Sequence, residues 1–322
     1  MGARYLVTGG AGFIGSNFIR WILDRDDDAR VTNLDAMTYA GVPATIDELE
    51  RYRGHTFVRG DIRDIDLLAE VVPNHDVVVN FAAESHVDRS IGGPDAFLDT
   101  NVVGTGRLIE TAYRSGVPRF IHVSTDEVYG SVAEGFASET AGLNPSSPYS
   151  SSKAGSDLLV RSYHHTYGYD AVVTRCANNY GPYQFPEKVI PLFITNLLAG
   201  ATVPLFGDGG NERDWIHVTD HCSAIDHVMR KGEPGGIYNI GANVQMSNLD
   251  LTRLILETMG RDESSIEYVE DRLGHDLRYA IDSSKVRDLG WEPKHSFTEG
   301  LSATIEWYTH NARWWKPLKE AT

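Results

Sequence analysis

The sequence predicts an α/β protein in which a doubly wound, mostly parallel sheet is followed by a smaller C-terminal α/β lobe. Short β-branched segments alternate with longer amphipathic ones through the first half of the chain. A glycine-rich turn joins the first of these strands to the first helix. Polar side chains also follow abruptly on a buried strand at residues 119–124. Because ligands bind at the carboxyl ends of parallel strands, we expect the functional site there.

Composition limits the classes of function. The chain has 322 residues, 41% hydrophobic and 23% charged, which is typical of a soluble globular protein with one large or two unequal domains. The net charge of -16 argues against sequence-independent binding to nucleic acid or anionic membranes, since both require clustered cations.

The cysteines and the apolar runs limit the chain further. Cys176 and Cys222 cannot form a disulfide framework and have no metal-ligand spacing, so we expect no metal site. No apolar run is long enough to span a bilayer, and a strand begins soon after Met1. We therefore expect a cytoplasmic protein.

The glycine turn indicates a dinucleotide site. Gly9, Gly12 and Gly15 stand between the strand at 4–8 and an apolar-periodic helix. Such glycines make the turn, let backbone approach a pyrophosphate, and let the helix pack on the strand. The helix N-terminus then faces the phosphates. The spacing is one residue longer than the GxGxxG fingerprint, so the strand–turn–helix context carries the interpretation.

Acidic and small residues after the next strands indicate which dinucleotide binds. Asp35 ends the second strand, where a carboxylate binds both ribose hydroxyls and repels a 2′-phosphate. No arginine follows immediately, which favours NAD over NADP. Asp61 follows the third strand and could hold the adenine amino group. Ala82 and Ala83 follow the fourth and would let the dinucleotide lie close to backbone. A long helix is then predicted over 95–115.

Thr125, Asp126 and Glu127 stand where the strand at 119–124 ends. A hydroxyl and two carboxyl groups at this edge could move protons on a bound substrate. Taken alone, the same residues also suit an Asx-type turn with solvated carboxylates.

A helix that begins near residue 148 carries a tyrosine and a lysine. Ser147 is a suitable N-cap and Pro148 a suitable first residue. Tyr149 and Lys153 then lie one turn apart on one face. A phenol with a pKa of ~10 needs a shift of ~3 units, or about 4 kcal/mol, to act as a base near neutrality. We expect the lysine and the helix dipole to lower the tyrosine pKa.

Together these features resemble the extended short-chain dehydrogenase/reductase superfamily (NAD-dependent epimerases and dehydratases). Within it, the chain is most similar to the family of dTDP-glucose 4,6-dehydratases. The resembling segments run nearly end to end: TGGAGFIGSNF, LDAMTYAG, GDIRD, FAAESHVDRSI, VSTDEVYGS, SPYSSSKAGSD, RCANNYGPYQFPEKVIPLF and DRLGHDLRY. The Thr–Asp–Glu run discriminates best, because related epimerases lack the paired carboxylates.

The resemblance implies a reaction with assigned roles. Tyr149, helped by Thr125, would remove the proton of the sugar 4-hydroxyl while hydride passes from C4 to NAD. Glu127 would then remove the C5 proton, and Asp126 would donate a proton to the departing C6 hydroxyl. Return of hydride to C6 would leave a 4-keto-6-deoxy sugar and regenerate NAD. Two carboxyl groups in different protonation states suit such an elimination.

The resemblance also implies binding residues and an assembly. It places at the cofactor Gly9, Gly12, Phe13, Ile14, Gly15, Asp35, Asp61, Ile62, Ala82, Ala83, Thr100, Tyr149 and Lys153. It places at the sugar nucleotide Ser85, Thr125, Asn178, Lys188, Arg213, Asn248, Arg272 and His275. Phe206 stands where a tyrosine near the thymine is expected, which keeps a stacking ring but removes a hydroxyl contact. Residues 1–177 would form the Rossmann-type NAD domain and 178–322 mainly the substrate lobe, with chain crossovers between them. Helices 95–115 and 149–167 would form a homodimer interface, although their apolar faces could equally be core.

Two other functions remain open at this level. An NAD-dependent sugar-nucleotide epimerase or decarboxylase would not need Asp126 and Glu127 for elimination. A catalytically inactive nucleotide sensor on the same fold would be expected to lack Tyr149, Lys153 or Thr125, and the sequence retains all three.

Overall fold

A seven-stranded parallel sheet forms the centre of the larger lobe in the computed structural model, which describes residues 2–320. The spatial order is β10-β6-β5-β4-β1-β2-β3, and every neighbouring pair is parallel. The strands are β1 (Arg4–Thr8), β2 (Arg30–Asp35), β3 (His55–Arg59), β4 (Val77–Asn80), β5 (Arg119–Thr125), β6 (Ala171–Cys176) and β10 (Ile237–Ile240). The order reverses beside β1, as expected of a doubly wound sheet, and the predicted fold class is confirmed.

Helices cover both faces of this sheet. They are α1 (Phe13–Leu23), α2 (Pro43–Leu49), α3 (Ile65–Val71), α4 (Val87–Gly92), α5 (Asp95–Phe97), α6 (Thr105–Arg114), α7 (Pro148–Tyr167) and α9 (Val218–Lys231). The start of α7 follows the prediction: Ser147 and Ser150 form a reciprocal capping box and Pro148 is the first helical residue. This cap fixes where the helix begins, and therefore the point at which the Tyr149 side chain projects from it.

The long helix predicted over 95–115 is present as a continuous helical stretch over 95–114, but its winding changes along its length. A π-helical segment, Leu98–Gly104, separates α5 from α6. Asn101 lies within it, accepts a hydrogen bond from the Glu84 backbone N–H (2.8 Å), and donates to Ser152 Oγ (2.8 Å). The π-helical winding therefore seats a buried amide between the chain after β4 and helix α7.

The smaller lobe has two short sheets, ordered β11-β9-β7 and β12-β8. Its remaining elements are β7 (Asn178–Tyr180), α8 (Val189–Leu198), β8 (Val203–Phe206), β9 (Glu212–His217), β11 (Gln245–Ser247), α10 (Asn248–Thr258), β12 (Ile266–Val269), α12 (Phe297–His310) and α13 (Ala312–Glu320). Helix α11 (Ser284–Asp288) packs instead on β10 of the large sheet. Trp314 and Trp315 are buried in this lobe, and Trp314 Nε1 donates to Thr45 Oγ1 of α2 (3.2 Å).

The chain crosses between the two lobes. β10 pairs with β6 in the large sheet, and α9 packs on α1, although both follow the smaller lobe's first strand. The domain division at residue 177 stays a prediction. Among residues 2–320, no helix is both long and apolar enough to cross a membrane.

Candidate active site

One large cavity opens at the carboxyl ends of the central strands and gathers most of the predicted site residues. Those lining it are Gly9, Gly12, Phe13, Ile14, Gly15, Asp35, Asp61, Ile62, Ala82, Ala83, Ser85, Thr100, Thr125, Asp126, Glu127, Tyr149, Lys153, Asn178 and Lys188. They come from segments far apart in the sequence, which the parallel sheet and the helices packed on it bring to one place.

The glycine turn leaves room at the N-terminus of α1. Gly9 has a φ of +71°, and a Cβ there would lie 2.7 Å from the backbone nitrogen of Ala82. A Cβ on Gly15 would lie 2.3 Å from the Gly9 carbonyl oxygen. Gly12 provides no side-chain cap, so backbone N–H groups of the first helical turn remain directed at the cavity. This is the construction that suits a pyrophosphate.

Two carboxylates at the same end of the cavity are held by donors. Asp35 accepts hydrogen bonds from the backbone N–H groups of Ala11 (2.9 Å) and Met37 (2.8 Å), one to each oxygen. Each oxygen keeps a further acceptor position toward the cavity. Asp61 accepts from the guanidinium of Arg63 (2.6 Å), which outweighs burial and lowers the Asp61 pKa. Any contact between Asp61 and an adenine must therefore be shared with Arg63.

Thr125, Asp126 and Glu127 occupy the end of β5 and the 3-10 turn that follows it, Asp126–Tyr129. The Thr125 hydroxyl accepts from the Glu127 backbone N–H (3.3 Å) and donates to Asp126 Oδ1 (3.3 Å). Asp126 is 3% exposed, and its Oδ2 has no hydrogen-bond partner among the described residues. The turn is therefore capped by the same hydroxyl that faces the cavity.

The two carboxyl groups of this turn have different surroundings. Burial raises the pKa of Asp126 well above its ordinary value, and the charges of Glu127 and Asp214 raise it further. Burial also raises the Glu127 pKa, but Arg213, Arg272 and Lys188 oppose that rise. The Asp126 carboxyl therefore holds its proton more tightly than the Glu127 carboxyl does.

Tyr149 and Lys153 lie one turn apart on α7, and the Thr125 hydroxyl beside the phenol acts to lower the Tyr149 pKa. The expected lowering of the Tyr149 pKa by Lys153 is wrong for the protein alone. Burial raises the Tyr149 pKa well above its ordinary value, and the Glu127 charge adds to that rise. The Lys153 ammonium instead donates to the Val123 carbonyl oxygen (2.8 Å), and burial lowers its own pKa to about 8.

Three cations lie near Glu127: Lys188 lines the cavity, whereas Arg213 and Arg272 are not part of its lining. Arg213, on β9, is 4% exposed and donates to the Asp276 carbonyl oxygen (2.9 Å), with its guanidinium over the Tyr279 ring. Lys188 Nζ donates to the Ser85 carbonyl oxygen (2.8 Å). Together with Arg272, both interact electrostatically with Glu127. Their convergence creates a local positive field within an acidic chain.

The remaining predicted nucleotide residues are less closely grouped. His275 Nδ1 lies 2.6 Å from Asp271 Oδ1, and its ring meets that of Phe206 edge-on at 6.3 Å. Arg272 Nη1 lies 3.8 Å from Asp88 Oδ1. Asn248 is the first residue of α10, and its backbone N–H donates to the Asn211 carbonyl oxygen. The cavity lining does not include Arg213, Asn248, Arg272 or His275, so their predicted binding roles stay predictions.

Sequence reasoning did not assign several residues that line the cavity, among them Glu84, Cys176, Asn179 and Glu187. Cys176 ends β6, so its place at a strand's carboxyl end was a usable signal. Asn179 accepts a hydrogen bond from the buried His221 (2.9 Å), a contact spanning 42 residues that no local pattern indicates.

The fold and this arrangement define an extended short-chain dehydrogenase/reductase. The family model for GDP-mannose 4,6 dehydratase matches residues 6–304, and the chain belongs to that family. The predicted resemblance is thereby confirmed.

Known relatives span nearly the whole chain. A dTDP-glucose 4,6-dehydratase of Streptomyces niveus is 49% identical and covers 98% of this chain and 96% of its own. The low-salt glycan biosynthesis protein Agl12 of Haloferax volcanii is 54% identical and covers 94% and 97%. The crystal structure of DesIV, a dTDP-glucose 4,6-dehydratase of Streptomyces venezuelae with NAD bound, matches with a TM-score of 0.95, at 53% identity and 98% and 99% coverage.

Proposed function

We propose that the chain is an NAD-dependent dTDP-glucose 4,6-dehydratase, a hydro-lyase that converts dTDP-glucose to dTDP-4-keto-6-deoxyglucose and water. The observation that carries this is the buried pair Asp126 and Glu127, which lies beside Tyr149 with unequal tendencies to hold a proton. An epimerase or a decarboxylase eliminates no water and therefore needs no such pair. The relatives named dTDP-glucose 4,6-dehydratase support the same assignment.

The residues at the glycine turn fit NAD. A Cβ on Gly9 or Gly15 would clash with neighbouring backbone, so only glycine allows this tight turn. The N-terminus of α1 lacks a side-chain cap, and Asp35 is placed to accept hydrogen bonds from ribose hydroxyls. When bound, NAD would supply a hydride acceptor for C4 and a positive charge in its oxidised form, and a hydride donor for C6 in its reduced form.

Tyr149 acts first, at the sugar 4-hydroxyl. Its phenol lies beside the Thr125 hydroxyl, and its phenolate form accepts the substrate proton. Because burial raises the Tyr149 pKa, Lys153 alone does not make the phenolate. Lys153 instead fixes α7 against β5 through Val123 and keeps a positive charge nearby.

Glu127 and Asp126 then remove water. A ketone at C4 makes the C5 proton acidic, and Glu127 removes it, since Arg213 and Arg272 favour its ionised form. Asp126, protonated because it is buried, donates its proton to the C6 hydroxyl as the C–O bond breaks. Glu127 returns its proton to C5 when C6 is reduced, which restores Glu127. Asp126 is left ionised and Tyr149 holds the proton of the 4-hydroxyl, so the starting state returns when Tyr149 loses one proton and Asp126 regains one.

Cations and a ring hold the rest of the substrate. The diphosphate is suited by Arg213 and Arg272, because a guanidinium binds two phosphate oxygens at once, and by the ammonium of Lys188 as a point charge. Phe206, half-exposed against His275, provides a stacking surface for the thymine. Ser85 and Asn178 line the cavity between these groups and the sugar.

The assembly and location belong to the same proposal. Apolar side chains on the helices predicted to pair are exposed: Leu98, Val103 and Leu158. Their exposure supports a homodimer through the segments 95–115 and 149–167, because a monomer gains nothing by presenting them to water. We place the enzyme in the cytoplasm.

The direct test is to incubate the purified protein with dTDP-glucose and weigh the product by mass spectrometry. We expect loss of one water with no net consumption of NAD. A product of unchanged mass would replace this assignment with an epimerase, and an unreacted substrate would remove dTDP-glucose from consideration.

A further inference from the structure

A buried arginine joins the two segments that carry the proposed catalytic groups. Tyr149 and Lys153 lie on α7, whereas Asp126 and Glu127 lie in the turn after β5. Both segments must act on adjacent carbons of one sugar ring. Small displacements between them would therefore separate a proton from its acceptor.

Arg175, on β6, has no exposed surface and contacts both segments. Its Nε and Nη2 donate to the two carboxylate oxygens of Asp157 (2.8 and 3.1 Å), which is one turn beyond Lys153 on α7. Its Nη1 donates to the hydroxyl of Tyr129 (2.7 Å), the last residue of the turn. We call Asp157, Arg175 and Tyr129 the Arg175 bridge.

The Tyr129 end of the bridge is anchored from behind. Its hydroxyl donates to Asn239 Oδ1 (2.8 Å), and Asn239 Nδ2 donates to the Ala137 carbonyl oxygen (2.9 Å). The turn ends at Gly130, where φ is +69° and a Cβ would lie 2.1 Å from the Asn144 carbonyl oxygen. The one phenolic hydroxyl therefore links the end of the turn to β6, α7 and β10.

We propose that the Arg175 bridge is a positioning device for the elimination step, which sets the turn of Asp126 and Glu127 against the helix of Tyr149. This inference rests on the dehydratase function proposed above. Neither Asp157 nor Tyr129 lines the cavity, so the bridge acts through the residues it holds. A buried ion pair is by itself weak evidence for stability, and a role confined to stability would affect every step of the reaction alike.

The test is Tyr129→Phe, which keeps the ring and removes only the hydroxyl. The matched control is Tyr169→Phe, because the Tyr169 hydroxyl is also buried but has no hydrogen-bond partner among residues 2–320. Single-turnover reactions of the NAD-loaded variants with dTDP-glucose are followed by reduced-nicotinamide absorbance and by product mass. In Tyr129→Phe we expect C4 oxidation within about twofold of the wild type and water loss slowed about tenfold or more, so that reduced nicotinamide accumulates. In Tyr169→Phe we expect neither change.

The bridge would be overturned as a positioning device if Tyr129→Phe slowed C4 oxidation and water loss equally, or left the ratio of their rates unchanged. If that variant does not fold, Asp157→Asn breaks the other end of the bridge, and the same partition decides. A wild-type protein that releases no water from dTDP-glucose would overturn the proposed function, and the bridge's role in elimination with it. If the wild type turns over normally and the variants keep its ratio of C4 oxidation to water loss, the proposal for the bridge alone is overturned.

Discussion

The carboxyl groups at the two ends of the cavity differ in their hydrogen-bond donors. At the cofactor end, Asp35 accepts two backbone hydrogen bonds and Asp61 accepts from Arg63. At the chemical end, Asp126 is buried with an oxygen that has no partner within the described part of the chain, and its pKa is raised well above the ordinary value. Burial raises the pKa of Asp35 as well, so the two ends differ in their donors: Asp35 accepts from two backbone N–H groups, whereas Asp126 accepts from the Thr125 hydroxyl alone among the described residues.

Glu127 stands between these extremes. Burial raises its pKa, while the cations of the substrate lobe oppose that rise. Its charge state therefore depends on the second lobe, although its position depends on the first. The comparison teaches that the elimination chemistry requires both lobes, whereas cofactor binding requires mainly the large sheet.

The largest expected effect lies outside both carboxyl pairs. Tyr149→Phe removes the group that takes the 4-hydroxyl proton, so we expect turnover to fall by about 10²–10⁴-fold. Because C4 oxidation precedes elimination, no reduced nicotinamide should form with dTDP-glucose. Stopped-flow absorbance checks this, with Tyr169→Phe as the control for loss of a buried phenol. Reduction of the cofactor at the wild-type rate would contradict the assignment of Tyr149.

Asp126→Asn tests the proton donor at the chemical end. The amide keeps the shape but cannot transfer a proton, so we expect water loss to slow by about 10²-fold or more while C4 oxidation continues. In the wild type, elimination needs Glu127 ionised and Asp126 protonated. Its rate should therefore rise with pH through the lower apparent pKa of the pair and fall through the higher. The variant should lose the fall at high pH, and a profile identical to the wild type would exclude Asp126 as the acid.

Asp35→Asn tests the recognition end. The substitution loses the charge and turns an amide donor toward the N–H of Ala11 or Met37. Hydrogen bonds to charged groups contribute about 1.5–3 kcal/mol, so we expect NAD to bind roughly 10- to 100-fold more weakly. Calorimetric titration of the stripped protein measures this, with Asp47→Asn on an exposed part of α2 as the matched control. Once NAD is saturating, partition between oxidation and elimination should be unchanged.

The smallest expected effect is on stability. A carboxyl group whose pKa is raised on folding stabilises the fold at pH values below its unfolded pKa and loses that contribution as pH rises through the folded pKa. Asp126 therefore costs stability near neutrality. At pH 7, Asp126→Asn should unfold at a higher temperature than the wild type, with a free energy of unfolding larger by on the order of 1 kcal/mol. In acid this difference in stability should disappear. Thermal unfolding across pH gives the answer, and an Asp126→Asn variant less stable at neutral pH would contradict the raised pKa.

Local sequence patterns were sufficient for the elements that carry the site. The glycine turn, the Ser147–Pro148 helix start and the strand before Thr125 each depend on a few neighbouring residues, and the structure places them as predicted. Parallel strand order then explains why Asp35, Asp61 and Thr125 meet at one edge.

Long-range packing determines the features of the site that local sequence patterns did not predict. The Tyr149 pKa depends on how deeply the phenol is buried and on where the Lys153 ammonium finds an acceptor, neither of which follows from a four-residue spacing. The convergence of Arg213 and Arg272 on Glu127 joins segments 86 and 145 residues away in sequence (213 − 127 and 272 − 127). Arg175 offered one unused signal, since a charged residue inside an apolar strand usually has a buried partner.

The most direct test of the contrast between the two ends is a single turnover of Glu127→Gln, loaded with NAD and mixed with dTDP-glucose. Glutamine keeps the size of the side chain but cannot remove the C5 proton. The account predicts that C4 oxidation proceeds, that reduced nicotinamide accumulates, and that the sugar exchanges no C5 hydrogen with deuterated solvent and loses no water. Normal water loss and C5 exchange in Glu127→Gln would contradict the division of recognition and proton transfer between the two ends of the cavity.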